Sequence, residues 1–248
     1  MFDADRRNRP DWHGRRHGRQ LTAHRQDLMA RLLPRLRVSL PPGSVELGCL
    51  FPQRPSAIWV EIGFGSGEHL AEQARRHPDI GFIGAEVFVN GVAALLGHIE
   101  RLELANVRIF DDDARLLLTA LPEASIGRMF LLFPDPWPKM RHAKRRFIGP
   151  ANLPILACLL ADHAELRIAT DDAGYVRWTL QHMMGRSEFS WCVTGPGDWR
   201  TPPEGWVETR YERKAAAAAR RPVFLCFQRR PRCATPEKSL RSADLCLY

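Results

Sequence analysis

The sequence predicts an α/β fold, a three-layer αβα sandwich around a mostly parallel, Rossmann-like sheet. Three observations carry that expectation. Short apolar runs alternate with helix-length segments from Ile58 to Met184, a glycine-rich turn follows the first of those runs, and acids recur just after the runs end. Alternation of this kind marks βαβ units and a sheet covered on both faces. Ligands of such sheets bind beyond the carboxyl ends of the strands, so residues that follow each strand become the candidates for chemistry.

Residues 1–22 read as a basic N-terminal arm, polar and rich in Gly and Arg, expected not to pack alone. A domain over 23–230 follows, then a tail over 231–248. A short helix from Ala23 to Leu33 places Leu28, Leu32 and Leu33 on one face and is expected to end at Pro34. Ile58–Ile62 is the first strand, and a helix runs from its glycine turn to His77. Strands are then expected at Ile80–Val87, Val107–Phe110, Arg128–Phe133 and Glu165–Thr170. The helices between and after them fall at Val89–Leu102, Ala114–Leu121, Gly149–Leu160 and Asp172–Met184. A strand at Phe189–Val193, an Ala-rich basic helix at Glu212–Arg221 and a strand at Val223–Gln228 complete the domain.

The 248 residues are 45% hydrophobic and 26% charged, which excludes wholesale disorder. No apolar run approaches the ~20 residues of a membrane helix. The charged start lacks the apolar stretch of a secretory signal. Six cysteines without a Cys-x-x-Cys pair, and nine dispersed histidines, argue against a zinc site or a disulfide framework and for a reducing cytoplasm. No metal is expected. The net charge of +8 favours a polyanionic partner, nucleic acid first. Ten arginines fall between Arg6 and Arg37 against two acids, and a second basic cluster runs from Lys139 to Arg146.

The turn Glu61-Ile62-Gly63-Phe64-Gly65-Ser66-Gly67 lets the backbone approach a ligand closely. Glu68 stands where a dinucleotide fingerprint places its third glycine, so an uncharged or zwitterionic nucleoside suits the loop better than a pyrophosphate. Glu86, at the end of the second strand, is placed to accept both ribose hydroxyls. One of Asp111, Asp112 and Asp113 could accept from an adenine amino group, and each could instead cap the next helix. Prolines on both sides of Asp135 fix its backbone at a strand's carboxyl edge, with Trp137 and the basic cluster close behind. Acid, aromatic and cations together suit transfer to a nucleobase. Asp171 and Asp172 repeat the pattern of acids at this edge, with helix capping as the competing reading.

These residues resemble the bacterial tRNA (guanine-N7-)-methyltransferase family: the Glu61–Gly67 turn, Gly84-Ala85-Glu86, Asp113-Ala114, Phe133-Pro134-Asp135-Pro136-Trp137-Pro138-Lys139 with Lys144-Arg145-Arg146, Ala169-Thr170-Asp171, and Thr209-Arg210-Tyr211-Glu212, in that order. The likeness spans about Arg15 to Arg229. It implies a class I methyltransferase fold, seven strands with the last antiparallel, and S-adenosyl-L-methionine as cofactor. It further implies that Glu61, Gly63, Gly65, Gly67, Glu86, Asp113 and Asp135 contact the cofactor, with Asp135 also catalytic. Lys139, Asp171, Thr209, Arg210, Tyr211 and Glu212 are implied as tRNA contacts, and a variable-loop guanosine as the target. A monomer or homodimer is expected. A non-catalytic RNA-binding protein and an NAD-dependent oxidoreductase are the competing readings.

Overall fold

The computed structural model describes residues 15–41, 43 and 45–232, so residues 1–14 of the arm and 233–248 of the tail lie outside the described residues. Seven strands form one sheet: β1 (Ala57–Ile62), β2 (Ile80–Ala85), β3 (Val107–Phe110), β4 (Ile126–Leu132), β5 (Leu160–Thr170), β6 (Phe189–Trp191) and β7 (Val223–Arg229). Their order is β3-β2-β1-β4-β5-β7-β6. β1 to β5 run parallel, and β7 inserts antiparallel between β5 and β6. The helices are α1 (Ala23–Arg31), α2 (Leu33–Leu36), α3 (Glu68–Arg76), α4 (Val89–Leu102), α5 (Ala114–Ala120), α6 (Leu153–Leu159), α7 (Ala173–Met183) and α8 (Arg210–Ala217). None of them is long and apolar enough to cross a membrane.

Side-chain alternation sorts the strands between two faces. Val60 and Ile62 join Met129, Leu131 and Ile168 in a core closed by Leu117, Leu156 and Tyr175 of α5, α6 and α7. On the opposite face, Phe82, Val107 and Ile109 pack under Leu28, Leu70, Leu95 and Leu96 of α1, α3 and α4. Each buried leucine of this kind contributes about 1.5–3 kcal/mol through removal from water. A third, smaller cluster (Phe130, Leu132, Ala169 and Phe224) lies beyond those helices and is covered by Trp206. At one edge the chain before the domain core docks onto β3, where Val38 N–H donates to the Ile109 carbonyl at 2.8 Å. Arg37 forks onto Asp111 beside it, at 2.8 and 2.7 Å.

Several elements differ from the sequence-based expectation. Pro34 does not end the first helical segment; Leu32 closes α1 and Pro34 sits in the first turn of α2, where its missing N–H is harmless. β5 begins at Leu160 rather than Glu165, because Leu160 pairs with Ile126 before a register shift into the main ladder. α8 starts at Arg210, two residues earlier than expected, since the Thr209 hydroxyl caps it, and Ala219 in left-handed conformation (φ 54°) follows its end before Arg221. The inner part of the arm also belongs to the body. The Arg16 carbonyl accepts from Val89 N–H at 2.9 Å, and the Asn90 side chain accepts from Gly18 N–H and donates to the Arg19 carbonyl.

Candidate active site

The carboxyl ends of β1, β2 and β4 open into a cavity of about 1350 Å³. Gly63 and Gly65 from the first turn, Glu86 after β2, Asp112 and Asp113 after β3, and Asp135 after β4 all line it. The turn needs its glycines: Gly63, Gly65 and Gly67 have φ of 69°, 59° and 79°, in the left-handed region. A Cβ on Gly63 would meet nothing within 4 Å, so this stretch of backbone is open to a ligand. Gly67 instead packs against Leu95 and begins α3.

Glu86 is the best-anchored acid of the rim. Its carboxylate accepts N–H groups from Gly65 at 2.9 Å, Val87 at 2.8 Å and Phe88 at 2.9 Å. Burial raises its pKa; the three amides pull the other way, and the charge on Asp135 adds to the rise. After β3 the three aspartates separate by role. Asp111 is held by Arg37, Asp112 reaches Arg16 at 3.0 Å, and buried Asp113 caps α5 by accepting Arg115 N–H at 3.0 Å while facing the cavity. Capping and lining thus fall on the same residue.

The Pro134-Asp135-Pro136 loop stands between two residues with positive φ, Phe133 at 51° and Trp137 at 42°. Non-glycine residues hold such angles only when their surroundings impose them. Here the clamp is Arg146, 7% exposed, whose Nε donates to the Pro136 carbonyl at 2.8 Å and Nη2 to that of Trp137 at 3.1 Å. Its guanidinium also lies 4.8 Å from the Trp178 ring. The cations of the Lys139–Arg146 cluster point in different directions. Arg146 faces carbonyls, Arg145 lies over Trp137 at 4.9 Å, and Lys139 and Arg141 point to solvent.

Tyr211 roofs the cavity from α8, stacked on Phe133 with ring centroids 6.4 Å apart. Partial burial raises its pKa, and Glu86 and Asp135 push in the same direction. Thr209 and Glu212 form a helix start: the Thr209 hydroxyl accepts Glu212 N–H at 3.0 Å, and the Glu212 carboxylate accepts Trp206 Nε1–H at 2.7 Å. Arg210 is exposed. Asp171 pairs with Arg220 at 2.9 Å, while Asp172 caps α7. None of Lys139, Asp171, Thr209, Arg210 and Glu212 lines the cavity.

Glu61 is not among the residues that line the cavity. It is 4% exposed on the face of β1 opposite Ile62 and bonds Nδ1 of His69 at 2.7 Å. The signal was present in the strand's alternation, which puts Glu61 on the side of Trp59 rather than that of Val60 and Ile62. Sequence reasoning missed Trp178, Asn152 and Phe88 as cavity walls, since only tertiary packing brings them there.

A sheet in this order, with one antiparallel strand and a nucleoside-sized cleft of carboxylates at its carboxyl rim, defines a class I methyltransferase fold. Residues 55–225 match the family described as "Putative methyltransferase". Among curated proteins, the chain is 50% identical over 231 residues to a tRNA (guanine-N(7)-)-methyltransferase of Rhodospirillum rubrum, covering 91% of this chain and 90% of that one. Those of Paramagnetospirillum magneticum (48% identical, covering 90% and 94%) and Chelativorans sp. (46%, covering 87% and 94%) bear the same description. The chain belongs to the tRNA (guanine-N(7)-)-methyltransferase family.

Proposed function

We propose that this protein transfers the methyl group of S-adenosyl-L-methionine to N7 of a guanosine in the variable loop of tRNA, in the cytoplasm. The observation that carries the reading is a single cavity in which Glu86, Asp113 and Asp135 converge beside an open glycine backbone, under Tyr211. The donor set suits this cofactor. Glu86 keeps one acceptor site, on Oε2, for a ribose hydroxyl beyond its three amides, Asp112 and Asp113 offer acceptors toward an adenine amino group, and the Gly63–Gly65 backbone admits the amino-acid end. When bound, the cofactor supplies an electrophilic sulfonium methyl.

Guanine N7 brings its own lone pair, so no proton need be removed. Held beside Asp135, the cofactor would supply its methyl to that lone pair as the C–S electrons stay with sulfur, and positive charge would move toward the purine. Position and charge therefore dominate the chemistry. Asp135, fixed between two prolines, holds a negative charge along that path. Tyr211 and Phe133 offer aromatic faces for the base. Lys139, Arg141, Lys144 and Arg210 supply cations for the tRNA backbone. Asp171, Thr209 and Glu212 serve the substrate side through the placement of α8, Asp171 by way of Arg220.

Purified protein incubated with methyl-labelled cofactor and unmodified tRNA should place label in N7-methylguanosine, read by nucleoside digestion and mass spectrometry. Label at another base or atom, or none in tRNA, would overturn the reading.

A further inference from the structure

The chemistry above makes no use of this chain's thiols. Cys192 and Cys226 are both free, and they face each other across the ladder of β6 and β7 although 34 positions of chain separate them. The antiparallel register runs Phe189 to Arg229, Ser190 to Gln228 and Trp191 to Phe227. The next step brings Cys192 to Cys226, where Cys192 N–H donates to the Cys226 carbonyl at 2.8 Å. Directly opposed residues of a hydrogen-bonded antiparallel pair have Cα atoms about 5.5 Å apart, with both side chains on one face. That spacing lies within the roughly 4.4–6.8 Å over which a disulfide closes. The thiols already meet, for that of Cys226 shares a hydrogen bond with that of Cys192.

Packing does not account for two cysteines at this step. Trp191 and Phe227, their neighbours, stack with ring centroids 6.3 Å apart on the core side of the sheet. Alternation puts Cys192 and Cys226 on the other side, in a polar row with Ser190, Gln228, Glu165 and Arg167, where a small apolar side chain gains little. Arg167 lies opposite Cys226 on β5 and pairs with Glu165 at 2.8 Å. The two sulfurs differ in access. Cys192 is exposed, whereas half-buried Cys226 has its pKa pushed up to about 12, chiefly by burial and then by the charge of Glu165. One sulfur is thus open to a reagent in solution, and the other stands behind it as its partner. Between them the chain makes an excursion over residues 193–225 that contains α8 and brings Tyr211 to the cavity. The step from Cys192 to Cys226 is the stem of that excursion.

We propose that Cys192 and Cys226 form a redox clasp, oxidised by a low-molecular-weight disulfide of the glutathione type to an intramolecular bond that ties the stem of residues 193–225. Cys192, as thiolate, attacks one sulfur of the reagent; the reagent's S–S bond breaks, and the released half takes up a proton as a thiol. The Cys226 sulfur then displaces the second half from Cys192, and its proton goes to that leaving thiolate. The two protein sulfurs lose two electrons in all, and the reagent gains them as two thiols. A disulfide with one exposed sulfur belongs to the labile class that follows the surrounding thiol pool. The clasp is independent of the methyl-transfer reading.

Full-length protein equilibrated with glutathione disulfide, then alkylated and digested without reductant, should give one dominant cross-linked peptide pair by mass spectrometry, joining Cys192 to Cys226 and abolished by dithiothreitol. Hydrogen exchange at the amides of 191–193 and 223–226 should slow about five-fold or more on oxidation and recover on reduction. Cys226→Ser should stop at glutathione bound to Cys192, and Cys192→Ser, at an exposed position, should leave Cys226 unreacted over the same period. The wild-type peptide map decides even if Cys226→Ser fails to fold. Glutathione persisting on wild-type Cys192 without a cross-link would overturn the proposal, as would Cys192 pairing mainly with one of the other four cysteines, both thiols surviving the oxidant, or stem exchange unchanged by oxidation.

Discussion

Replacing Arg146 by alanine should uncouple the Asp135 loop from the body of the protein. The side chain is 7% exposed and makes two charged hydrogen bonds, to the carbonyls of Pro136 and Trp137, together with a ring contact to Trp178. Hydrogen bonds to a charged group are worth roughly 1.5–3 kcal/mol each. A partly buried cation–π contact adds about 1 kcal/mol. Water entering the vacated space would satisfy the two carbonyls in part, which leaves a net loss of about 3 kcal/mol. For a domain of this size that lowers the melting temperature by about 6–12 °C. The kinetic effect should be larger than the thermal one suggests. Phe133 and Trp137 hold positive φ only while the loop is clamped, and release shifts Asp135 by something like an ångström, worth about 100-fold in kcat. Lysine should recover little, since one ammonium replaces neither the planar fork nor the stacking. The salt dependence of tRNA affinity should not change, because these donors face carbonyls. Lys139→Ala, at an exposed cation, should by contrast flatten the log–log salt slope by about 0.7–0.9. Melting curves, steady-state kinetics and filter binding across salt concentrations make the comparison. An Arg146→Ala protein with wild-type kcat, or with a flattened salt slope, would refute the reasoning.

Three further outcomes are expected. Gly91→Ala should weaken S-adenosylhomocysteine binding by ten-fold or more in calorimetry, because a Cβ there runs into the Gly65 carbonyl and pushes the glycine turn off its seat; alanine's helix preference of about 1 kcal/mol does not compensate. Glu86 has a raised pKa, chiefly through burial, so its contribution to stability is present at acid pH and is lost as pH rises through that pKa. Cofactor binding has the opposite sign, since ribose hydroxyls need the carboxylate: affinity should fall as pH drops through the raised value, and Glu86→Gln should bind weakly and without that pH dependence. Asp135→Asn should lower kcat by about 100- to 1000-fold with tRNA affinity within about three-fold; equal losses in both would remove its proposed role.

Much of the fold was legible because period-2 and period-3.6 patterns alternate cleanly from Ile58 to Met183, and the predicted and observed limits of β3 and α4 coincide. The start of β5 was not, since Asp162 and His163 are polar and His163 takes a φ of 66°, so the stretch carries no strand pattern. The rim was legible where local chemistry fixes it. Two prolines mark Asp135, and strand ends mark Glu86 and Asp113. What holds the rim in place was not legible: Arg146 reaches back ten residues to Pro136, and Trp206 meets His69 across 137 positions of chain, contacts that no local spacing encodes. Along β1, one position separates Ile62, which lines the cavity, from Glu61 on the opposite face.

The docking of Val38 and Arg37 along β3 has a consequence unrelated to catalysis. β3 is the sheet's outermost strand on that side, four buried residues whose outer main-chain groups would otherwise be free to recruit a strand from a neighbouring molecule. One amide–carbonyl bond and a forked guanidinium–carboxylate pair occupy that border. On the far side, β6 ends the sheet after three residues, too short to template much. The Arg37–Val38 segment is therefore also a selvedge that keeps the woven sheet from being extended by another copy.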